Sequence, residues 1–313
     1  MTTDNFRVAI LTALGYAPEL IEPGCIQRFA TSDRRGDSAG WCKLFYDMRG
    51  GVYGCHRQGI SATWSAADKA SMTTAQRIDH ARQVMAATAE REQQQRQQWA
   101  ANAQRIAALS AECVPLVPGD PVTLYLKRRG LGGVWPLPAT LRMHRALTYW
   151  HEGERLGRFP AMVTSMVAPD GRTVALHRTY LTRDGRKAEV PTVKKLTAAA
   201  GPLAGACIAL HRAAHGSIGI AEGIETALAG WSASGLPTVA AYSAGNLAAW
   251  QWPAGLQRLV IFSDNDKAWR EAAAALLARA VRAGVQASVM TPTEPGADWC
   301  DVWAARGAVE AAT

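Results

Sequence analysis

Ser217-Ile218-Gly219-Ile220-Ala221-Glu222-Gly223 is the stretch whose reading decides the fold. Ile218–Ala221 is a short apolar run that ends on an acid and a glycine, and a helix-like segment, Ile224–Ser232, follows it. The rhythm recurs downstream. Thr238-Val239-Ala240-Ala241 leads to a helix-like Leu247–Trp250, and Leu259-Val260-Ile261-Phe262-Ser263 leads to the Ala-rich Trp269–Ala283. Val285-Gln286-Ala287-Ser288-Val289-Met290 is a fourth run. Continuous apolar strands alternating with helices predict an α/β domain, its mainly parallel sheet covered on both faces. No internal repeat of fixed period is present.

Functional groups in such sheets gather just past the carboxyl ends of the strands. Glu222 follows the first strand, and Asp264 and Asp266 follow the third in Phe262-Ser263-Asp264-Asn265-Asp266. Asp298 and Asp301 lie beyond the fourth, in Gly296-Ala297-Asp298-Trp299-Cys300-Asp301. Taken singly, each acid equally suits a helix N-cap or a turn. Taken together, carboxylates converging on one sheet edge repel one another unless a cation sits between them, and hard oxygen ligands suit Mg²⁺ or Mn²⁺. Gly223 lets the backbone pass close to a ligand at the start of a helix, whose N-terminus accepts anions.

Upstream the texture changes twice. Residues 122–210 mix short strands with turns, as in Ala161–Val167 and Thr173–Leu181 around Pro169-Asp170-Gly171, a hairpin signal. Residues 66–112 are rich in Ala, Gln, Glu and Arg with almost no Gly or Pro, which predicts one or two long exposed helices. Residues 1–66 carry short aromatic and Gly-bearing runs, Gly40–Tyr46 and Gly51–Cys55, that read as small antiparallel strands.

The 313 residues carry 34 Lys and Arg against 26 Asp and Glu, a net charge of +8. Up to residue 200 the balance is 27 against 17, and from 201 it is 7 against 9. A basic region joined to a near-neutral domain suggests a polyanionic partner; an ordinary basic surface gives the same count. No run of ~18 apolar residues, as a membrane helix needs, occurs. The N-terminus lacks the pattern of a signal peptide, and six scattered cysteines show no disulfide rhythm, so a cytoplasmic, reduced protein is expected.

Glu-Gly after the first strand, Asp-x-Asp after the third and a later Asp together resemble the Toprim domain. The closer resemblance is to Toprim primases of the phage and plasmid type, within the DnaG-like superfamily. It is carried by Ala221–Ala229, by Gly296–Asp301, and upstream by Leu176–Leu181 with Asp184-Gly185, Lys187-Ala188 and Lys194-Lys195. The resemblance is specific from 170 to 303 and loose before that. It divides the chain into 1–66, a degenerate zinc-ribbon-like β region; 67–114, a helical connector; 115–210, a basic α+β primase subdomain; and 211–313, a Rossmann-like Toprim domain on a four-stranded sheet.

The resemblance implies a DNA primase, a nucleotidyltransferase that makes short primers on single-stranded DNA from nucleoside triphosphates. Glu222, Asp264 and Asp266 would be catalytic, and with Asp298 they would hold Mg²⁺ or Mn²⁺. Asp301 would be an outer ligand or a helix cap. Arg178, Arg183, Lys187, Lys194 and Lys195 would bind nucleotide or DNA phosphates; a solvated hairpin edge is the alternative. Trp41, Tyr53 and Trp64 are candidates for stacking on bases, unless they fill a small core. Cys25, Cys42, Cys55 and His56 contain no Cys-x-x-Cys pair, which departs from the zinc pattern and points to a metal-free region. No G-x-x-x-x-G-K-[ST] phosphate loop is present, so a separate replicative helicase is implied as partner. A Toprim-type metal-dependent nuclease and an inactive nucleic-acid-binding Toprim protein remain alternatives.

Overall fold

A computed structural model describes residues 2–33, 37–67, 72–293 and 299–310. The chain divides into two compact units, Met1–Gln98 and Trp99–Thr313.

In the first unit, α1 (Thr2–Leu14) precedes an antiparallel meander of β1 (Gln27–Phe29), β2 (Gly40–Leu44), β3 (Gly50–Cys55) and β4 (Ile60–Ser65). Alternation along the strands gives this sheet two apolar faces. Phe6, Ile10 and Leu14 pack on Cys42, Leu44, Tyr53 and Cys55. The other face carries Trp41, Phe45 and Val52, covered by Val84 and Ala87 of α2 (Thr74–Ala111). A helix on each face leaves little sheet surface open. Trp41 and Tyr53, read from sequence as stacking candidates, are therefore core residues, 4% and 8% exposed. Trp64 is half-buried with its ring 5.2 Å from that of Phe6. Cys42 and Cys55 lie in the same core, and Cys25 is exposed.

The second unit starts with the end of α2, then β5 (Val114–Pro115) and α3 (Pro121–Leu126). Asp120 caps α3 by accepting from Thr123 N, and Pro121 occupies its first turn. There follow β6 (Arg142–His151), β7 (Glu154–Val167), β8 (Thr173–Tyr180), β9 (Lys194–Leu196) and β10 (Cys207–Ile208). The alternating part comprises β11 (Ser217–Ala221), α4 (Ile224–Ser234), β12 (Thr238–Ala240), α5 (Ala244–Ala249), β13 (Arg258–Phe262), α6 (Lys267–Arg282), β14 (Gln286–Met290) and α7 (Trp299–Glu310). The helix α5 begins earlier than its apolar residues alone suggest because Ser243 caps it, accepting from Asn246 N.

The strands β12, β11, β13 and β14 lie side by side and parallel. They do not form a separate sheet. β10 pairs antiparallel with both β12 and β7, which extends the sheet in the order β14-β13-β11-β12-β10-β7-β6-β5, with β8 and β9 branching from β7. One face is covered by α4 and α7, the other by α5 and α6 through Leu247, Trp269 and Leu276.

The turn after β8 is held against α3. Gly185 has φ +75°, and a Cβ built on it would stand 2.5 Å from Leu124 Cβ and 2.6 Å from Tyr125 N. Gly185→Ala is thus expected to lower stability by about 2–5 kcal/mol, combining left-handed backbone strain with overpacking. A urea titration checks this: a midpoint equal to wild type contradicts the close approach.

Candidate active site

Ala221 of β11 pairs with Phe262 of β13 in parallel register. The chain therefore leaves both strands at the same edge, and the next residues, Glu222 and then Ser263-Asp264, come together. The Glu222 and Asp264 carboxyl groups share a hydrogen bond. Burial, that bond, and the negative charges of Asp264 and Asp266 push the Glu222 carboxyl up to about 9, against a smaller downward pull from Lys194. Two carboxyls forced to share a proton are what a bound cation would relieve.

Asp266 is placed differently. It is exposed and caps α6, its Oδ1 accepting from Trp269 N at 3.0 Å. Asp301, in the first turn of α7, pairs with Arg129 at 3.5 Å. Asp298 lies outside the described residues. Among the described residues, no three His, Cys, Asp or Glu side chains are grouped to hold a metal ion. Glu222 and Asp264 are the two carboxylates in contact, and their donor set is all oxygen, which fits Mg²⁺ or Mn²⁺.

Glu222 and Asp264 open onto a cleft of about 130 Å³, also lined by Tyr125, Arg129, Lys187 and Lys194. The N-terminus of α4 contributes Gly223, Glu225 and Thr226 to its wall. A larger cavity, about 620 Å³, lies at the opposite end of β11 beside Trp250 and Trp252, and its lining holds no carboxylate.

One wall of the cleft depends on Glu225, which sequence reasoning missed. Its carboxylate is buried, accepts from Tyr125 Oη at 2.5 Å, and pairs with Lys194 Nζ at 3.0 Å. Burial alone would raise the Glu225 carboxyl, but the Lys194 charge and the Tyr125 hydroxyl outweigh it and hold it at about 2. Burial, reinforced by Lys194, keeps the His177 imidazole neutral, with its pKa lowered to about 4. A signal for Glu225 existed: Ile224–Gly230 is otherwise apolar or small, and a charge within a helix buried all round must have a partner. Tyr125 and Arg129 are about a hundred residues away in sequence and gave no such signal.

The basic residues separate by strand parity. Lys194 pairs with Thr179 across β8 and β9 and faces the cleft. Its neighbour Lys195 faces the other way, donating to Trp150 O at 2.6 Å with Nζ 4.7 Å above the Tyr149 ring. Arg178 shares the face of Lys195 and donates to Leu196 O at 2.6 Å. Arg183 is exposed in the Thr182–Arg186 turn, and Lys187, just beyond it, lines the cleft.

Residues 217–309 match the family model of the Toprim domain, and residues 100–210 match a domain of unknown function, DUF7146. No curated protein matches the chain. Among solved structures, a DNA primase domain from Pseudomonas aeruginosa is similar at 16% identity and a TM-score of 0.36, covering 53% of this chain and 55% of that one. The DnaG primase catalytic domain bound to ssDNA aligns at 16% identity and TM-score 0.41, covering 71% and 81%. The Aquifex aeolicus primase, with zinc-binding and RNA polymerase domains, aligns at 13% and 0.38, covering 99% and 84%. The chain spans about half the length of the first of these.

Proposed function

On a chain whose residues 217–309 form a Toprim domain, we propose a DNA primase-like nucleotidyltransferase that makes short primers on single-stranded DNA. The observation that carries this reading is the single cleft in which the Glu222–Asp264 carboxyl pair faces Lys194, Lys187 and Arg129. An acidic wall opposite a basic wall suits a triphosphate, whose oxygens need cations on every side. Glu222 and Asp264, with Asp266 adding negative charge, would hold one or two divalent cations. A cation bound there supplies charge neutralisation for phosphate oxygens and eases deprotonation of the primer hydroxyl. Lys194, fixed by Glu225, points a positive charge into the cleft, and Lys187 and Arg129 add two more from separate segments. The α4 N-terminus directs unpaired backbone N–H groups toward the same space.

The test is incubation of the full chain with single-stranded DNA, labelled nucleotides and Mg²⁺ or Mn²⁺. Short products built from the nucleotides are expected. Shortened template instead would identify a nuclease, and unchanged template with no product would identify an inactive binding protein. DNA binding is also expected to weaken steeply with salt, because the positive excess lies before residue 200.

A further inference from the structure

Four side chains meet on the α2 face of the first unit's sheet. Arg28 of β1 stands directly opposite Trp41 of β2, so both project from the same face. Trp41 is in turn opposite Gly54 of β3, and a Cβ on Gly54 would lie 2.7 Å from Trp41 Cζ2, so the indole lies across the bare glycine. Two residues on, with the same parity as Gly54, His56 brings its ring to 6.5 Å from the indole. From above, α2 sets the Arg91 guanidinium 4.5 Å over the Trp41 ring.

This group has no negative charge to balance it. Nearby Lys43 pairs with Glu90, and Arg57 pairs with Asp37 at 2.6 Å. Among the described residues, neither Arg28 nor Arg91 forms an ion pair with a carboxylate. The consequences of crowding are visible in both remaining groups. Burial and then Arg91 lower the affinity of Arg28 for its proton, and burial, Arg28 and Arg91 do the same to His56. Like charges are costly to gather in a folded protein unless an anion shares the site.

We infer that Arg28, Arg91 and His56 form a binding site for a phosphate group, with Trp41 as the platform that holds Arg91 in place. Two guanidiniums offer paired N–H donors to phosphate oxygens, the geometry in which arginine exceeds lysine. Trp41 is too deeply buried to stack on a base, so the site reads phosphate and not sequence. The phosphate can belong to a nucleic-acid strand or to a free polyphosphate chain such as that of a nucleotide. The site is independent of the Glu222–Asp264 cleft.

The experiment uses the full chain in EDTA, which keeps divalent cations out of the cleft. Binding of a fluorescent oligo-dT is followed from low to high salt, and binding of inorganic tripolyphosphate is measured by calorimetry. The variants are Arg28→Gln, the double Arg28→Gln/Arg91→Gln, and Arg28→Lys. If a strand phosphate is bound, the double variant lowers the slope of log K against log salt by roughly 1, at ~0.7 per phosphate lost, and Arg28→Lys retains most of it. If a free polyphosphate is bound, tripolyphosphate affinity falls about tenfold while the oligo-dT slope stays. Either result supports the site. Arg28 lies exposed on an edge strand, so Arg28→Gln carries the test alone should the double variant melt early. Both ligands binding a folded Arg28→Gln as they bind wild type overturns the inference. Primer synthesis enters none of these readouts, so its failure and failure of this site are told apart.

Discussion

Glu222→Gln is expected to reduce primer synthesis by at least ~10²-fold while nucleotide and DNA binding survive, the scale of losing one positioned acid/base or charge-bearing group. The substitution keeps the size and hydrogen-bonding capacity of the side chain and removes its ability to become a carboxylate. Glu222 is the residue at which several causes converge: a backbone fixed by the end of β11, a shared bond with Asp264, and a carboxyl held protonated up to about 9. In the absence of a cation the wild-type group is neutral at pH 7, so the variant imitates that state permanently. Binding carried by Lys194, Lys187 and Arg129 should therefore persist, and synthesis should not. Steady-state product assays on both proteins check this. A variant that primes at the wild-type rate removes Glu222 from the reaction.

Lys194→Met should cost about 3 kcal/mol of stability at pH 7, because it leaves the Glu225 carboxylate buried without its cation. That figure is the low end of the range for a broken buried pair, since the Lys194 side chain is 41% exposed and water already weakens the pair, whereas Glu225 is 6% exposed. The pH dependence separates this cause from simple loss of packing. In wild type the Glu225 carboxyl sits near 2, below its ordinary 4.5. Its contribution is therefore complete above about 4.5 and is lost as pH falls toward 2. Without Lys194, burial becomes the leading influence and raises the carboxyl instead. The variant should then regain stability as pH falls from 7 to 5, while this group leaves wild type unchanged over that interval. Urea midpoints at the two pH values decide the matter. A variant deficit that is the same at both would show that Glu225 is not the origin.

The parallel strands were legible because each is buried on both faces and so reads as an unbroken apolar run ended by a turn or a cap. Their register then brings Glu222 and Asp264 together with no further information. The same reading could not separate Asp264 from Asp266. Both follow β13, but one turns toward Glu222 and the other closes the N-terminus of α6. Nor could it separate Lys194 from Lys195, which requires knowing which face of β9 meets the cleft. The partners of Lys194 come from α4 and α3, and only the folded sheet brings those helices to it. In the first unit the aromatic residues signalled strands correctly. Their burial followed from α1 and α2 covering opposite faces, which no strand pattern encodes. The joining of the two halves of the second sheet rests on β10, two residues long and too short for periodicity to reveal.

The account stands on the Glu222–Asp264 pair being a divalent-cation site, and Mn²⁺ titration followed by electron paramagnetic resonance tests this directly. Free Mn²⁺ gives a sharp signal that disappears on binding, so no substrate and no turnover are needed. Wild type should deplete the signal, more strongly as pH rises and the shared proton is displaced, and Glu222→Gln and Asp264→Asn should each leave most of it intact. Equal depletion by wild type and by both variants, with all three folded by circular dichroism, would contradict the metal site and the proposed chemistry with it.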